Sequence, residues 1–149
     1  MLTKKSKYAI KALLELARNH DEGTPMRISD IAAKENIPRK FLEAILLDLR
    51  KHGILGSRMG TSGGYYMLKP PADIVLSKVL RITDGPIAMV PCASLNFYEP
   101  CGECVNEASC SIRDVAREVR DASLAILSNT SIADLLAREQ KLGQKKKKR

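Results

Sequence analysis

Four cysteines lie within a stretch of 19 residues, at Cys92, Cys101, Cys104 and Cys110, with the spacing Cys-x8-Cys-x2-Cys-x5-Cys. Thiolates are ligands for soft metals, and a Cys-x-x-Cys pair can place two sulfurs on one ion. We therefore predict a metal site for which all four thiols are candidate ligands.

The spacing leaves the kind of metal open. A structural zinc site usually takes its four sulfurs from two tight pairs, whereas only Cys101 and Cys104 form a tight pair here. The looser spacing of the other two cysteines favours an iron–sulfur cluster, with zinc as the alternative. Four reduced cysteines without a metal are the third possibility.

The compartment in which the chain is expected to work bears on these thiols. Lysines interrupt the first residues, so the apolar core of a secretory signal is missing. No stretch approaches the roughly 18 apolar residues that a membrane span needs. We expect a cytoplasmic protein with no membrane partner, and reduced thiols there favour a metal or redox site over disulfides.

Composition predicts a helical core. Hydrophobic residues make up 44% of the 149 residues, but aromatic residues only 4%, and tryptophan is absent. A core built from Leu, Ile, Val and Ala favours packed helices, and we predict a mainly α fold with a small β wing.

Positive charge is concentrated in the first half. Residues 1–70 contain 13 Lys and Arg against 7 Asp and Glu, whereas residues 71–144 contain 7 against 10. The last five residues, KKKKR, are all basic. A basic first half is typical of a surface that binds phosphates, so double-stranded DNA is the expected partner, although a merely solvated surface also explains the charge.

Three helices are predicted in that half, over residues 5–19, 29–35 and 38–52. Ser29 is the predicted N-cap of the second helix, and Pro38 the first residue of the third. Gly53 would end the third helix in a left-handed conformation. A short helix, a tight turn at residues 36–37 and a longer helix indicate a helix-turn-helix, with inward-facing residues Phe41, Leu42, Ile45, Leu46 and Leu49.

A hairpin follows, with strands at residues 54–57 and 65–68 around a glycine-rich tip. It predicts a wing, and the prolines at 70–71 would close a winged domain over residues 1–71. Arg39 and Lys40 could reach phosphate or guanine, and Glu43 could accept a hydrogen bond from a cytosine amino group. The predicted DNA-contacting residues are Ser29, Pro38, Arg39, Lys40, Glu43, Arg50, Arg58, Gly60, Gly63, Gly64 and Tyr65. A helical bundle with a surface hairpin is the competing interpretation.

The second half, residues 72–142, is predicted to hold a helix over 76–84, the cysteine loop over 87–110 and a long helix from residue 111. Apolar residues of the long helix follow the 3-4-3-4 spacing typical of a helix pair: Ile112, Val115, Val119, Ala122 and Ile126. We predict a homodimer that pairs these helices. Ser131 would cap a last helix ending at Leu142, and residues 143–149 would form a disordered basic tail.

Residues 1–142 resemble the bacterial winged helix-turn-helix regulators typified by the iron–sulfur regulator IscR and the nitric oxide sensor NsrR. The resemblance rests on SKYAIKALLELA, RISDIA, IPRKFLEAILLDLRKHGIL, GGYYML and LSKVLRITDG, followed by the cysteine loop. It implies a homodimer with a long dimer helix and, in cluster-bearing members, three cysteine ligands. The expected cofactor is a 2Fe-2S cluster in preference to a 4Fe-4S cluster.

The chain departs from the family pattern at two places. The position three residues after the last cysteine, which holds a histidine ligand in some members, is Arg113, and Lys5, Ser6 and Lys7 occupy the region where other members supply an acidic ligand. The extra cysteine would fill that gap and give all-cysteine ligation. The wing arginine also stands one place early, at Arg58.

These observations together predict a DNA-binding transcription regulator switched by an iron–sulfur cluster that responds to redox state, nitric oxide or cluster supply. A winged-helix regulator with structural zinc or thiol-based sensing is the alternative. An electron carrier would not need the basic helix-turn-helix. An enzyme is not expected, because His20 and His52 have no evident nucleophile partner.

Overall fold

A computed structural model of the chain describes residues 2–20 and 23–147. The elements in chain order are α1 (Lys4–Arg18), α2 (Ile28–Glu35), α3 (Arg39–Lys51), β1 (Leu55–Arg58), β2 (Gly64–Met67), α4 (Leu76–Thr83), α5 (Ser111–Leu127) and α6 (Ile132–Lys147). Short 3-10 turns occupy Pro71–Asp73, Pro91–Ala93 and Glu107–Ser109. The predicted mainly α fold, a winged helix-turn-helix followed by a long helix, is confirmed.

Helices α1, α2 and α3 pack around one aliphatic core. Thr3 caps α1, since its hydroxyl accepts a hydrogen bond from the Ser6 backbone N–H at 3.2 Å. Leu13, Ile31 and Leu46 are completely buried at the centre. Each such side chain stabilises the fold by about 1.5–3 kcal/mol through removal of apolar surface from water.

Two predicted helix starts differ from the structure, since the N-cap of α2 lies two residues earlier than predicted and α3 begins one residue later. Helix α2 begins at Ile28 with extended Arg27 before it, so Ser29 lies in the first turn and is not the N-cap. The backbone explains this, because the Arg27 carbonyl already accepts the first helical hydrogen bond, from Ile31 at 3.2 Å. Helix α3 begins at Arg39, which makes Pro38 the residue before the helix instead of its first residue.

Phe41 corrects the predicted core face of α3. Its side chain is 46% exposed, whereas the predicted core residues Leu42, Ile45, Leu46 and Leu49 are buried. The ring lies edge-on against Tyr8, with 5.6 Å between centroids and 87° between planes. Phe41 therefore covers the border of the core without entering it.

The wing is a two-stranded antiparallel hairpin that pairs Leu55 with Met67 and Arg58 with Gly64. Both strands are shifted by one residue from the predicted bounds. Gly60 has φ +102, and a β-carbon on Gly64 would collide with the Met26 backbone. A β-carbon on Gly63 would likewise meet the Arg58 carbonyl. Glycine suits these positions, because it adopts positive φ without strain and has no β-carbon to collide with the neighbouring backbone.

Helix α6 returns to pack against α1. Its start is joined to the segment before α4 by a backbone bridge between Val75 and Ser131, and Ile132 is completely buried in the same core as α1. Ser131 caps α6 as predicted, because its hydroxyl accepts from the Asp134 N–H at 3.1 Å while the Asp134 carboxylate accepts from the Ser131 N–H at 2.8 Å.

The end of α6 differs from the prediction, since the helix continues past Leu142 to Lys147. Lysine is a good helix former, and positive charge is favourable at a helix C-terminus. The last two residues of the predicted disordered tail lie outside the described residues, and the domain division after residue 71 stays a prediction. In the described part of the chain, no helix is long and apolar enough to cross a membrane.

Candidate DNA-binding surface and cysteine loop

The turn between α2 and α3 has the geometry of a helix-turn-helix. Asn36 ends α2 in the left-handed conformation, with φ 52 and ψ 53, which asparagine adopts more readily than most residues. The next residue, Ile37, is buried and donates its N–H to the Ala32 carbonyl at 2.9 Å. The turn therefore anchors α3 with one face on the core and the other in solvent.

The solvent face of α3 carries four of the predicted contact residues. Arg39, Lys40, Glu43 and Arg50 are all exposed. Arg39 Nε lies 3.3 Å from Glu43 Oε1, which forms an ion pair one helical turn apart. Glu43 thus already has a protein partner, and it can hold the Arg39 guanidinium in place as well as accept from a base.

The wing holds five more predicted residues. The Arg58 guanidinium lies 5.3 Å from the centroid of the Tyr66 ring, a cation–π contact that keeps positive charge at the end of β1. Tyr65 exchanges two backbone hydrogen bonds with Met26, at 2.8 and 2.9 Å, so it joins the wing to the segment before α2. Gly60, Gly63 and Gly64 determine the shape of the tip.

Two residues at the start of α2, Ser29 and Arg27, also belong to the candidate DNA-binding surface. Ser29, predicted to contact DNA, is exposed and its hydroxyl lies 3.3 Å from Asp30 Oδ1. Arg27 was missed by the sequence reasoning, although its Nη2 donates to the Thr61 carbonyl in the wing tip at 2.5 Å. A basic residue just before α2 was the available signal, but nothing in the sequence places it beside the wing.

In the cysteine loop, Cys104 interacts with two other cysteines. Its Sγ lies 3.9 Å from Cys110 Sγ, and its side chain also contacts Cys101. Hydrogen bonds with these two thiols raise the pKa of Cys104 to about 12. Cys104 is therefore the thiol that keeps its proton when the group is free of metal.

Cys110 is positioned at the start of α5. It is the N-cap of the helix, and its Sγ accepts a hydrogen bond from the Arg113 backbone N–H at 3.5 Å. That hydrogen bond lowers the pKa of Cys110, and the positive end of the helix acts in the same direction. Cys110 is thus the more readily deprotonated member of its pair with Cys104.

Cys92 is buried in a separate turn, Pro91–Ala93, and within the described chain its thiol makes no hydrogen bond with the other three cysteines. Two arginines of α5 hold this turn. Arg113 Nε donates to the Cys92 carbonyl at 3.1 Å, and Arg120, only 8% exposed, donates to the Ala93 carbonyl. Arg113 thus organises the loop, at the position where some relatives are expected to carry a ligand.

Glu107 is a second organising residue that sequence reasoning missed. Its carboxylate accepts from the Tyr98 hydroxyl at 2.9 Å and from the Cys101 N–H at 3.3 Å, and lies 3.6 Å from Arg113 Nη2. The hydrogen bond to Glu107 raises the pKa of Tyr98. Glu107 therefore ties the middle of the loop to the first turn of α5.

The donor chemistry of this loop fits a soft metal or an iron–sulfur group, because the loop contains four thiols and the sulfurs of Cys104 and Cys110 lie 3.9 Å apart. Among the described residues no group of three or more His, Cys, Asp or Glu side chains is already arranged to hold a metal ion. All-cysteine ligation would thus require the loop to close, with Cys92 turned toward the other three.

Helix α5 presents the predicted apolar seam to solvent. Ile112 is 71% exposed, Val115 58%, Val119 42% and Ile126 64%. Ala122 is exposed on the same side. An aliphatic stripe of this size on one helix face is unfavourable in water, and it marks a surface that another molecule would cover.

Comparison with known proteins agrees with this architecture. The model of the Rrf2 family, described as an iron-dependent transcriptional regulator, matches residues 2–138. An rrf2-like candidate HTH-type transcriptional regulator of Rhodobacter capsulatus is 47% identical over 139 residues, which are 92% of this chain and 93% of that protein. The HTH-type transcriptional regulator NsrR of Geobacillus kaustophilus is 35% identical over 135 residues, covering 91% of this chain and 88% of NsrR.

The solved structure of CymR (YrzC), described as the global cysteine regulator of B. subtilis, superposes with a TM-score of 0.75 at 28% identity, over 93% of this chain and 97% of CymR. The predicted resemblance is confirmed by these matches, as is the expectation that the protein is not an enzyme. The chain belongs to the Rrf2 family of transcription regulators.

Proposed function

We propose that this regulator binds double-stranded DNA through α3 and the wing, and that the state of its cysteine loop controls the binding. The observation that carries the proposal is the pairing of an exposed, basic α3 face with a glycine-shaped wing on a chain of this family. In this arrangement Arg39 and Lys40 contact the major groove, and Arg58 contacts the backbone or minor groove beside it. The protein would act in the cytoplasm.

The dimer would form through the α5 seam. Two copies that pair Val119 and its neighbours bury the stripe against itself, which gives an isologous two-fold interface. The two α3 helices then meet successive major grooves, about 34 Å apart along the DNA. Because α5 connects the seam to the loop, a change at the loop can alter the distance between the two α3 helices.

We further propose that the loop holds an iron–sulfur cluster, 2Fe-2S in preference to 4Fe-4S. Cys101, Cys104 and Cys110 would hold it, with Cys92 as the fourth ligand. When bound, the cluster would supply a redox-active centre. Cys110 caps α5, and Arg113 and Arg120 fasten the Cys92 turn to α5, so ligation would fix the loop against the start of the helix.

Thiol-based sensing without a metal is the second candidate. It is favoured by the 3.9 Å between Cys104 Sγ and Cys110 Sγ, and by the likeness to a structure described as a cysteine regulator. Oxidation by hydrogen peroxide would remove two electrons and two protons from this thiol pair to form a disulfide, while the hydrogen peroxide is reduced to two molecules of water. Structural zinc in the same loop remains the third alternative.

Anaerobic purification tests these candidates. Iron and acid-labile sulfide in the full-length protein, with visible absorption that Cys104→Ser abolishes, would support the cluster. Stoichiometric zinc would contradict the cluster and support the structural-zinc alternative. Metal-free protein that forms a Cys104–Cys110 disulfide would contradict the cluster and support thiol-based sensing. Ser109→Ala, a loop variant that removes no sulfur, is the matched control and should behave as wild type.

A further inference from the structure

The segment before α2 is built into the wing. Met26 pairs with Tyr65 through two backbone hydrogen bonds, and the Gly64 α-carbon lies so close to the Met26 backbone that no β-carbon fits there. The start of β2, where the tip ends, is therefore fixed to the segment before α2. The tip, by contrast, projects into solvent, and Met59 is 98% exposed there.

Arg27 reaches from this segment to the tip. Its Nη2 donates to the Thr61 carbonyl at 2.5 Å, and the tip turn itself is closed by a hydrogen bond from Gly63 N–H to the Gly60 carbonyl at 3.0 Å. This hydrogen bond joins the tip to a part of the chain outside the hairpin. Arg27 is thus the side chain that can set where the tip stands relative to α2 and α3.

The chemistry of arginine suits this task. A guanidinium has five N–H donors in a fixed plane, so one bond to Thr61 leaves donors for another acceptor. A lysine has a point charge without the planar fork and would not reproduce the same hydrogen bond.

We propose that Arg27 is a positioning residue for DNA binding. It holds the wing tip in the position that allows Arg58, at the end of β1, to contact the duplex. This inference rests on the proposed DNA interface and extends it to a residue outside α3 and the wing. Without the Arg27–Thr61 hydrogen bond the tip would sample more positions, and the contact made by Arg58 would weaken.

A double-mutant cycle tests the proposal, with operator DNA selected by the wild-type protein from random duplexes. Arg27→Gln and Arg27→Lys should each lower affinity by about 3- to 10-fold, the range expected for one lost hydrogen bond. In an Arg58→Gln background the same changes should have little effect, since the contact that Arg27 supports is already gone. Lys141→Gln, an exposed charge on α6, is the control for net charge.

Equal losses in both backgrounds, with Arg27→Lys as good as wild type, would overturn the proposal and make Arg27 an independent phosphate contact. Hydrogen exchange on the free protein gives a readout without DNA. Arg27→Gln should accelerate exchange of the Gly63 amide several-fold, and unchanged exchange would also overturn the proposal. If the wild-type protein selects no operator, the proposed function is contradicted instead. The hydrogen-exchange result would then still test whether Arg27 restrains the wing tip, because it is measured without DNA.

Discussion

Glu15 is a buried carboxylate of α1 that no motif singled out. Its two oxygens lie 2.7 Å from Arg18 Nη1 and 2.7 Å from Lys34 Nζ, and its side chain is only 7% exposed. Burial alone would raise the pKa of Glu15, but the hydrogen bonds from Lys34 and Arg18 outweigh it and the pKa is lowered. Arg18 also contacts Glu139, so this cluster joins α1, α2 and α6.

We expect Glu15→Gln to lower the free energy of unfolding at neutral pH by about 1–3 kcal/mol, because two cations lose their buried partner. Glu139→Gln removes a 47% exposed partner of the same arginine and should cost less than about 0.5 kcal/mol. Urea unfolding of both variants measures the difference. Equal costs would mean that burial does not decide the strength of these pairs.

The lowered pKa of Glu15 also predicts how the free energy of unfolding depends on pH. Because the folded-state pKa of Glu15 lies below its ordinary value of 4.5, its contribution is complete above that pH and is lost as the pH falls through the folded value. The difference in unfolding free energy between wild type and Glu15→Gln should therefore narrow below pH 4.5. A difference independent of pH would show that the charge of Glu15 is not what stabilises the fold.

Glu43 is expected to act on sequence preference. Removing it frees Arg39 from its ion pair and removes the acceptor for a cytosine amino group, so Glu43→Ala should bind random DNA as well as wild type or more tightly. Its preference for a selected operator should fall by roughly 10-fold. Asp73→Ala, an exposed carboxylate outside α2, α3 and the wing, is the control. Equal weakening on operator and random duplexes would reassign Glu43 to folding.

Among the elements, α5 carries the sharpest prediction. Val119→Asp would place an unpaired charge in the centre of the apolar seam and should convert the dimer to monomers in sedimentation experiments. Arg117→Asp, on the opposite side of the same helix, introduces the same side chain and should leave the dimer intact. A Val119→Asp variant that still sediments as a dimer would place the interface elsewhere.

Most element positions could be predicted, because helix periodicity and turn residues are local signals. The bounds of α1, α2 and α3 are right to within two residues, and Gly53 takes the left-handed conformation as predicted. Phe41 was misplaced because its position borders the apolar stripe, where spacing alone does not separate core from edge. The contacts of Arg27 with Thr61 and of Arg18 with Glu139 join distant segments, and no local pattern encodes such pairings. The contacts of Glu107 are closer in sequence, but they lie in an irregular loop that has no periodic pattern.

The contacts within the cysteine loop were also not predictable from the sequence. Spacing singled out four cysteines, but the approach of Cys104 to Cys110 and the separate turn of Cys92 depend on how α5 packs against the loop. Sequence reasoning could state that Arg113 is not a ligand. It could not find that the Arg113 guanidinium donates to the Cys92 carbonyl, or that the Arg113 backbone N–H donates to the Sγ of Cys110, the N-cap of α5.

At the scale of the whole molecule, charge is segregated between the halves, and this predicts salt-sensitive binding. If three or four basic side chains of each protomer contact phosphates, affinity should fall roughly 1,000-fold or more between about 50 and 200 mM salt, because each contact releases counterions. Arg58→Gln should reduce the log–log slope by about 2 in a dimer, and Lys141→Gln should not change it. A nearly flat dependence in wild type would exclude the proposed surface.

The measurement that tests the central claim most directly is the operator affinity of one dimeric preparation, compared before and after the cysteine loop changes state. Fluorescence anisotropy with selected operator DNA would be recorded anaerobically on the purified protein, on the same protein after removal of its metal or oxidation of its thiols, and on Cys104→Ser. If loop and DNA surface are coupled through α5, the affinities of the first two forms differ by about 5- to 150-fold, a coupling of 1–3 kcal/mol, and Cys104→Ser follows the changed form. One affinity for all three forms on every operator would contradict the account and leave a DNA-binding regulator whose cysteines do not control it.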